Sequence, residues 1–374
     1  LRRHARAPQW RTLAAAVAIV TGAALPVSAS GFLTQDLRIA VPGSGKAGLE
    51  AVLVRPNEPG RYPLALINHG SPRNPQDRPE MSPMQMWPMA IEFARRGWAA
   101  VIVLRRGYGG SGGGWAETYG GCSNARYDNA GRAGAADLRA AIAELAKRAD
   151  VDATRVISVG VSAGGFAIVA LTEDPPPRLV AAISFAGGRG SMADDRVCSE
   201  EHLIDAFRSF GRHSKTPMLW VYADNDHFFS PRLAAKFKDA FVAGGGQVDL
   251  VMTGPFGNDG HGLFSMTGIP RWTPIVDAFL KRRDLVLREA LLPLPEPANI
   301  EPPPQLSENG RKAFSMYLRG GRHKAFAVSK LDRFGWSSGR RTVESAITAA
   351  LRFCREHATD CELFAVDDAP AVHR

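Results

Sequence analysis

Hydrophobic and polar positions along this 374-residue chain switch between two periods. Short apolar runs rich in β-branched residues predict strands at Leu37–Val41, Glu50–Arg55, Leu64–Asn68, Ala99–Leu104, Val156–Gly160, Val180–Phe185, Met218–Tyr222 and Val248–Met252. Helical spacing predicts helices at Met84–Arg96, Gly134–Lys147, Ala163–Leu171, Glu200–Arg212, Pro231–Ala243 and Pro270–Arg282. The turn Pro56-Asn57-Glu58-Pro59-Gly60 between early strands predicts an antiparallel start. The later alternation predicts crossovers, hence an α/β class with a mostly parallel central sheet flanked by helices. In such sheets ligands bind beyond the carboxyl ends of the strands, so the loops there are where chemistry is expected.

The pattern breaks at Leu292–Pro304, a proline-rich stretch that reads as a semi-rigid linker. The predicted organisation is a signal peptide over 1–29, a main domain over 30–290, the linker over 291–305 and a small C-terminal α+β unit over 306–374. That unit is expected to hold helices at Glu308–Leu318 and Thr342–His357 and strands at Ala325–Ser329 and Glu362–Val366. The first 29 residues carry a basic start ending at Arg11, an apolar segment from Leu13 to Leu25, and small residues at Val27-Ser28-Ala29. They read as an export signal too short to span a bilayer comfortably. A periplasmic or secreted protein is expected. Export permits disulfides, and the four cysteines allow three pairings. The closeness of Cys354 and Cys361 favours Cys354–Cys361 with Cys122–Cys198.

The net charge is +9, but Arg2, Arg3, Arg6 and Arg11 lie in an acid-free start, leaving +5 for the remainder. No basic run with interleaved aromatics follows, so nucleic-acid binding is unsupported. Gly43-Ser44-Gly45-Lys46 is no phosphate loop, because Ala47 stands where Ser or Thr is needed. No cofactor or metal is expected: there is no Cys-x-x-Cys and no clustered His. Met81, Met84, Met86, Trp87 and Met89 recur at helical spacing and read as core rather than as a substrate surface.

The candidate chemistry sits at Gly160-Val161-Ser162-Ala163-Gly164-Gly165, between a predicted strand and a predicted helix. A Ser with Gly at −2 and +2 on such a turn reads as a nucleophile elbow. The glycines remove side chains that would strike neighbouring backbone, and the hydroxyl is left at the tip of a helix N-terminus. Two later loops supply partners in the order acid, then base. Asp226 is preferred to Asp224 as the acid, because Asp226-His227-Phe228-Phe229-Ser230-Pro231 leads straight into a helix. His261, in Asp259-Gly260-His261-Gly262, is preferred to His227 as the base. Ser162, Asp226 and His261 are therefore the expected catalytic residues. The oxyanion hole is expected from the amides of Ala163 and Ser71, the latter in His69-Gly70-Ser71-Pro72 after a strand. Tyr108 and His69 are candidates for the substrate pocket, with packing and loop bracing as their alternatives.

These motifs resemble the dienelactone-hydrolase-like branch of the α/β-hydrolase superfamily over roughly residues 36 to 285. The resemblance implies an α/β-hydrolase fold with Ser162, Asp226 and His261 in the triad roles. Dienelactone hydrolases use a Cys nucleophile where this chain has Ser162, which favours ordinary ester or amide hydrolysis. The expected protein is an exported serine hydrolase acting on a small-molecule carboxylic ester, with no stable membrane span after signal cleavage. An acyl- or dipeptidyl-type peptidase acting on short peptides, and a non-catalytic envelope-binding protein on a hydrolase fold, are the alternatives.

Overall fold

The computed structural model describes residues 31–371. The predicted signal peptide lies outside them. In chain order the main body contains β1 (Phe32–Ile39), β2 (Leu49–Pro56), β3 (Tyr62–Asn68), α1 (Trp87–Arg95), β4 (Ala99–Val103), α2 (Tyr127–Leu145), β5 (Val151–Val161), α3 (Ala163–Leu171) and β6 (Leu179–Phe185). It continues through β7 (Ser191–Ala193), β8 (Arg196–Val197), α4 (Glu200–Gly211), β9 (Met218–Ala223), α5 (Pro231–Ala243), β10 (Asp249–Thr253) and α6 (Ile269–Lys281). Eight strands form one sheet in the order β1-β2-β4-β3-β5-β6-β9-β10. β2 pairs antiparallel with β1 and β4, and every pairing from β4 to β10 is parallel. The sheet is therefore the mostly parallel, helix-flanked arrangement of the α/β-hydrolase class.

Both faces are covered, which is why the central strands read as continuous apolar runs. In β3, Leu64 and Leu66 pack beneath α2 to α5, while Ala65 and Ile67 pack beneath α1 and α6. All nine residues of α3 are buried, so this helix has no polar face. The predicted start of α2 at Gly134 is seven residues late, because Tyr127-Asp128-Asn129-Ala130-Gly131 is poor in helix formers. Packing overrides propensity here. A Cβ on Gly131 would lie 2.7 Å from the Phe210 ring, so the glycine lets α2 approach its neighbours closely.

The C-terminal elements are α7 (Glu308–Leu318), β11 (Ala325–Val328), β12 (Phe334–Ser337), α8 (Val343–Arg355), β13 (Glu362–Val366) and β14 (Ala369–Pro370). They form an antiparallel sheet, β12-β11-β13-β14, between two helices. Phe326 and Val328 of β11 face α7, whereas Ala325 and Ala327 face α8. β12 is missing from the sequence reading because Gly335 interrupts it. A Cβ there would come 2.3 Å from Cys354 N, so glycine is what lets α8 lie on the strand.

Arg341 joins this unit to the main body, donating to Glu50 Oε2 at 2.8 Å and to the Met81 carbonyl at 3.0 Å. Met84, Met86 and Met89 are buried as core, and Met84 and Trp87 also line a cavity of about 920 Å³ between the two parts. Cysteines pair as Cys122–Cys198 and Cys354–Cys361, with Cα separations of 5.1 and 6.0 Å. Among the described residues no helix is long and apolar enough to cross a membrane.

Candidate active site

Ser162 stands between β5 and α3 with φ 56° and ψ −124°, a strained conformation for a residue with a side chain. Flanking glycines make that turn possible. A Cβ on Gly160 would lie 2.7 Å from the Gly164 carbonyl carbon, and one on Gly164 would lie 2.4 Å from the His69 oxygen. The Ser162 N–H donates to the Phe185 carbonyl at 2.9 Å, and the Ser162 carbonyl accepts from Gly188 N–H at 3.2 Å. The elbow is thus pinned to the loop after β6.

The His69–Pro72 loop follows β3 and lies against the elbow. A Cβ placed on Gly70 would be 3.1 Å from Ser162 Cβ and 3.6 Å from its Oγ. His69 is buried, and both ring nitrogens are engaged. Its Nε2 accepts from the Arg105 main-chain N–H at 3.1 Å, so Nδ1 carries the proton and donates to the Gly70 carbonyl at 2.6 Å. Burial, aided by Arg105, pushes its pKa well below the ordinary value and keeps the ring neutral. The planar trans peptide then has a consequence. With the Gly70 carbonyl held toward His69, the Ser71 N–H of the same peptide points the opposite way. Neither that N–H nor the one of Ala163, at the first turn of α3, has an acceptor among the described residues.

Behind this loop sits a buried ionic cluster that the sequence reading missed. Arg105 is fully buried and donates to Glu117 Oε1 and, through Nη1 at 3.0 Å, to the His69 carbonyl. Arg189 pairs with Glu117 Oε2 at 2.8 Å, and the Tyr108 hydroxyl donates to the same oxygen at 3.1 Å. Although burial opposes ionisation, Arg105 and Arg189 bring the Glu117 carboxyl down to about 2. Tyr108 is fully buried, with its ring edge-on to His69 at 4.4 Å. Tyr108 and His69 thus pack together behind the loop, the alternative weighed for each beside a place in the substrate pocket.

The loops carrying Asp226 and His261 meet on the other side. Asp226, beyond β9, is 1% exposed, and its carboxylate lies 3.1 and 3.2 Å from His261 Nδ1. The main-chain N–H groups of Phe228 and Phe229 donate to Asp226 Oδ1 at 2.8 and 2.9 Å. Asp224, two residues earlier, is exposed. His227 turns away to Asp195 at 3.1 Å, which raises its pKa. Asp259 Oδ1 accepts from the N–H groups of both His227 and His261, at 3.1 and 2.9 Å, and so staples one loop to the other. Phe228 stacks on His261 with centroids 3.9 Å apart, and Phe229 meets it at 5.6 Å. Phe229 also fills the space a side chain at Gly188 would need, which brings this pair up to the loop that pins Ser162. Among the described residues no His, Cys, Asp and Glu cluster is suited to a metal ion.

Solved structures similar to this chain include Thermogutta terrifontis esterase 2 phosphorylated by paraoxon, at 16% identity, covering 69% of this chain and 96% of that one, TM-score 0.48. Another is a Klebsiella pneumoniae protein classed by name with the dienelactone hydrolases, at 16% identity, covering 67% and 99%, TM-score 0.46. No curated protein matches the sequence. The sequence model of the X-Pro dipeptidyl-peptidase (S15) family matches residues 45–234, half of the chain, and spans β2 to the start of α5. The chain thus belongs to the X-Pro dipeptidyl-peptidase (S15) family and is a serine hydrolase of the α/β-hydrolase type.

Proposed function

We propose that this serine hydrolase cleaves carboxylic esters outside the cytoplasm, using Ser162, Asp226 and His261 as its triad. The observation that carries the reading is the buried Asp226 carboxylate on His261 Nδ1, found together with a positive-φ serine at a strand-to-helix turn. Asp226 keeps the Nδ1 proton in place, which leaves Nε2 free to act as a base. His261 takes the Ser162 proton as Oγ attacks the ester carbonyl, and the negative charge that forms on the carbonyl oxygen is met by the Ser71 and Ala163 amides. The tetrahedral intermediate collapses to an acyl-enzyme, the leaving alcohol taking the proton from His261. Water then attacks the acyl carbon while His261 accepts its proton, and the acid departs from Ser162.

The family name offers the second reading, release of X-Pro dipeptides. The charges around the loop favour ester cleavage. A peptide's amino terminus is cationic and needs carboxylates, yet the buried carboxylate here, Glu117, is already committed to Arg105 and Arg189. Export is supported by the two disulfides, which persist in oxidising compartments. Initial rates on p-nitrophenyl butyrate and on an aminoacyl-prolyl p-nitroanilide decide between the readings. The ester is expected to turn over and the anilide not to. The reverse order would replace the esterase reading with the peptidase one.

A further inference from the structure

We propose that the substrate ester carries a carboxylate, bound by Arg78 and Arg189 beside the oxyanion loop. This deepens the ester-hydrolase reading and rests on it. Three guanidinium groups gather around one carboxylate. Glu117 Oε1 is taken by Arg105, and Oε2 is shared by Arg189 and the Tyr108 hydroxyl. Arg78 has no acidic partner among the described residues. Its guanidinium lies over the Trp115 ring at 3.5 Å, and that of Arg189 faces the same ring at 5.4 Å. Two like charges therefore share one aromatic platform, while the nearest carboxylate is already divided between Arg105 and Arg189.

The hydrogen bonds tell the same story. Arg78 Nε, Arg105 Nη2 and Arg189 Nε are buried without an acceptor. Arg189 is 5% exposed and Arg105 fully buried, so bulk water does not screen their surplus charge. Burial also makes Arg78 a weaker base than usual. An uncompensated buried cation is costly, and a ligand that supplies the missing charge and acceptors removes that cost.

The position is equally specific. Arg189 follows Gly188, whose N–H holds the Ser162 carbonyl. Tyr108, which shares Glu117 Oε2 with Arg189, packs on His69, and Arg105 donates to the His69 carbonyl two residues before Ser71. Surplus positive charge thus stands behind the amide assigned to the oxyanion hole. Arg78, Trp115 and Ser71 are each part-exposed, so the cluster opens outward through them. A carboxylate fits better than other anions. It is planar, its two oxygens match the guanidinium fork, and it brings one charge rather than two into a half-buried place.

The test compares each of two carboxylate esters, 4-acetoxybenzoate and the mono-p-nitrophenyl ester of adipic acid, with its methyl-capped neutral counterpart. They place the charge on the alcohol and acyl sides respectively. At least one is expected to exceed its neutral counterpart by about tenfold or more in kcat/KM. Arg78→Gln should collapse that ratio toward one, Arg78→Lys should keep part of it, and Arg282→Gln at the far sheet edge should leave it alone. Calorimetry of benzoate binding to folded Ser162→Ala, with and without Arg78→Gln, reads the same site without turnover. Equal rates on charged and neutral esters, with no Arg78-dependent benzoate binding, would overturn the proposal while leaving the esterase intact. Absence of turnover on every ester would instead remove the reading on which it rests.

Discussion

The ring of Phe228 lies parallel to the imidazole of His261, 3.9 Å between centroids and 8° between planes. The same residue donates its main-chain N–H to Asp226 Oδ1 at 2.8 Å. One residue therefore restrains both Asp226 and His261. Arg73 covers the opposite face of the ring at 3.6 Å and ties it to Asp194 at 2.9 Å. Phe228→Ala keeps the main-chain bond but frees the imidazole, so kcat should fall by about tenfold, as misorientation at a reacting group does. Phe228→Tyr should keep most activity. Steady-state rates on p-nitrophenyl butyrate check this, and wild-type kcat in Phe228→Ala would show that Asp226 alone orients His261.

Asp226 and Asp224 separate by environment. Asp226→Asn loses the charge facing His261 Nδ1 and should lower kcat by about 10³- to 10⁴-fold, the scale for disrupting the acid of such a triad. Asp224→Asn changes an exposed side chain and should stay within about twofold. Comparable losses in the two variants would remove Asp226 from the proposed role.

Glu117 should govern acid stability. Its folded pKa of about 2 lies below the ordinary 4.5, so the unfolded chain binds the proton more readily. The contribution is complete above pH 4.5 and is lost as pH falls from there toward 2. Glu117→Gln leaves Arg105 and Arg189 without their counter-charge and should cost about 3 to 5 kcal/mol. Thermal melts from pH 6 to pH 3 should show a steeper loss in the wild type than in the variant. Parallel curves would mean that Glu117 does not carry the acid sensitivity.

His69 has the same sign for a different reason. Its folded pKa lies below 6.5, so its contribution is present above that value and declines as pH drops through it, when the unfolded chain gains a proton. His69→Ala also releases the Gly70 carbonyl and so the direction of the Ser71 amide. The expected result is a kcat loss of about 10²- to 10³-fold, the scale of one oxyanion donor, with KM little changed. A variant impaired in KM alone would place His69 with the substrate instead.

The sheet and the chemistry-bearing loops were legible because their signals are local. Apolar runs bounded by turns mark β3, β5 and β9, and the glycines around Ser162 mark the elbow. The loop that carries Asp226, the proposed acid, is marked as well, since Ser230-Pro231 announces the helix that follows it. What escaped depends on contacts between distant segments. Nothing in the sequence singles out Arg105, Glu117 and Arg189 before the fold brings the three loops together. Tyr108 left a choice between pocket and packing, because only tertiary structure places its ring against His69. The start of α2 and the strand β12 were hidden by glycines whose role is close packing rather than turning.

An activated Ser162 is tested most directly by intact-mass analysis after incubating the folded protein with a fluorophosphonate, with Ser162→Ala alongside. One covalent adduct per chain is expected, mapped by peptide sequencing to Ser162 and absent from the variant. An adduct that persists in Ser162→Ala, or no adduct on protein that remains folded, would contradict an activated serine at this turn.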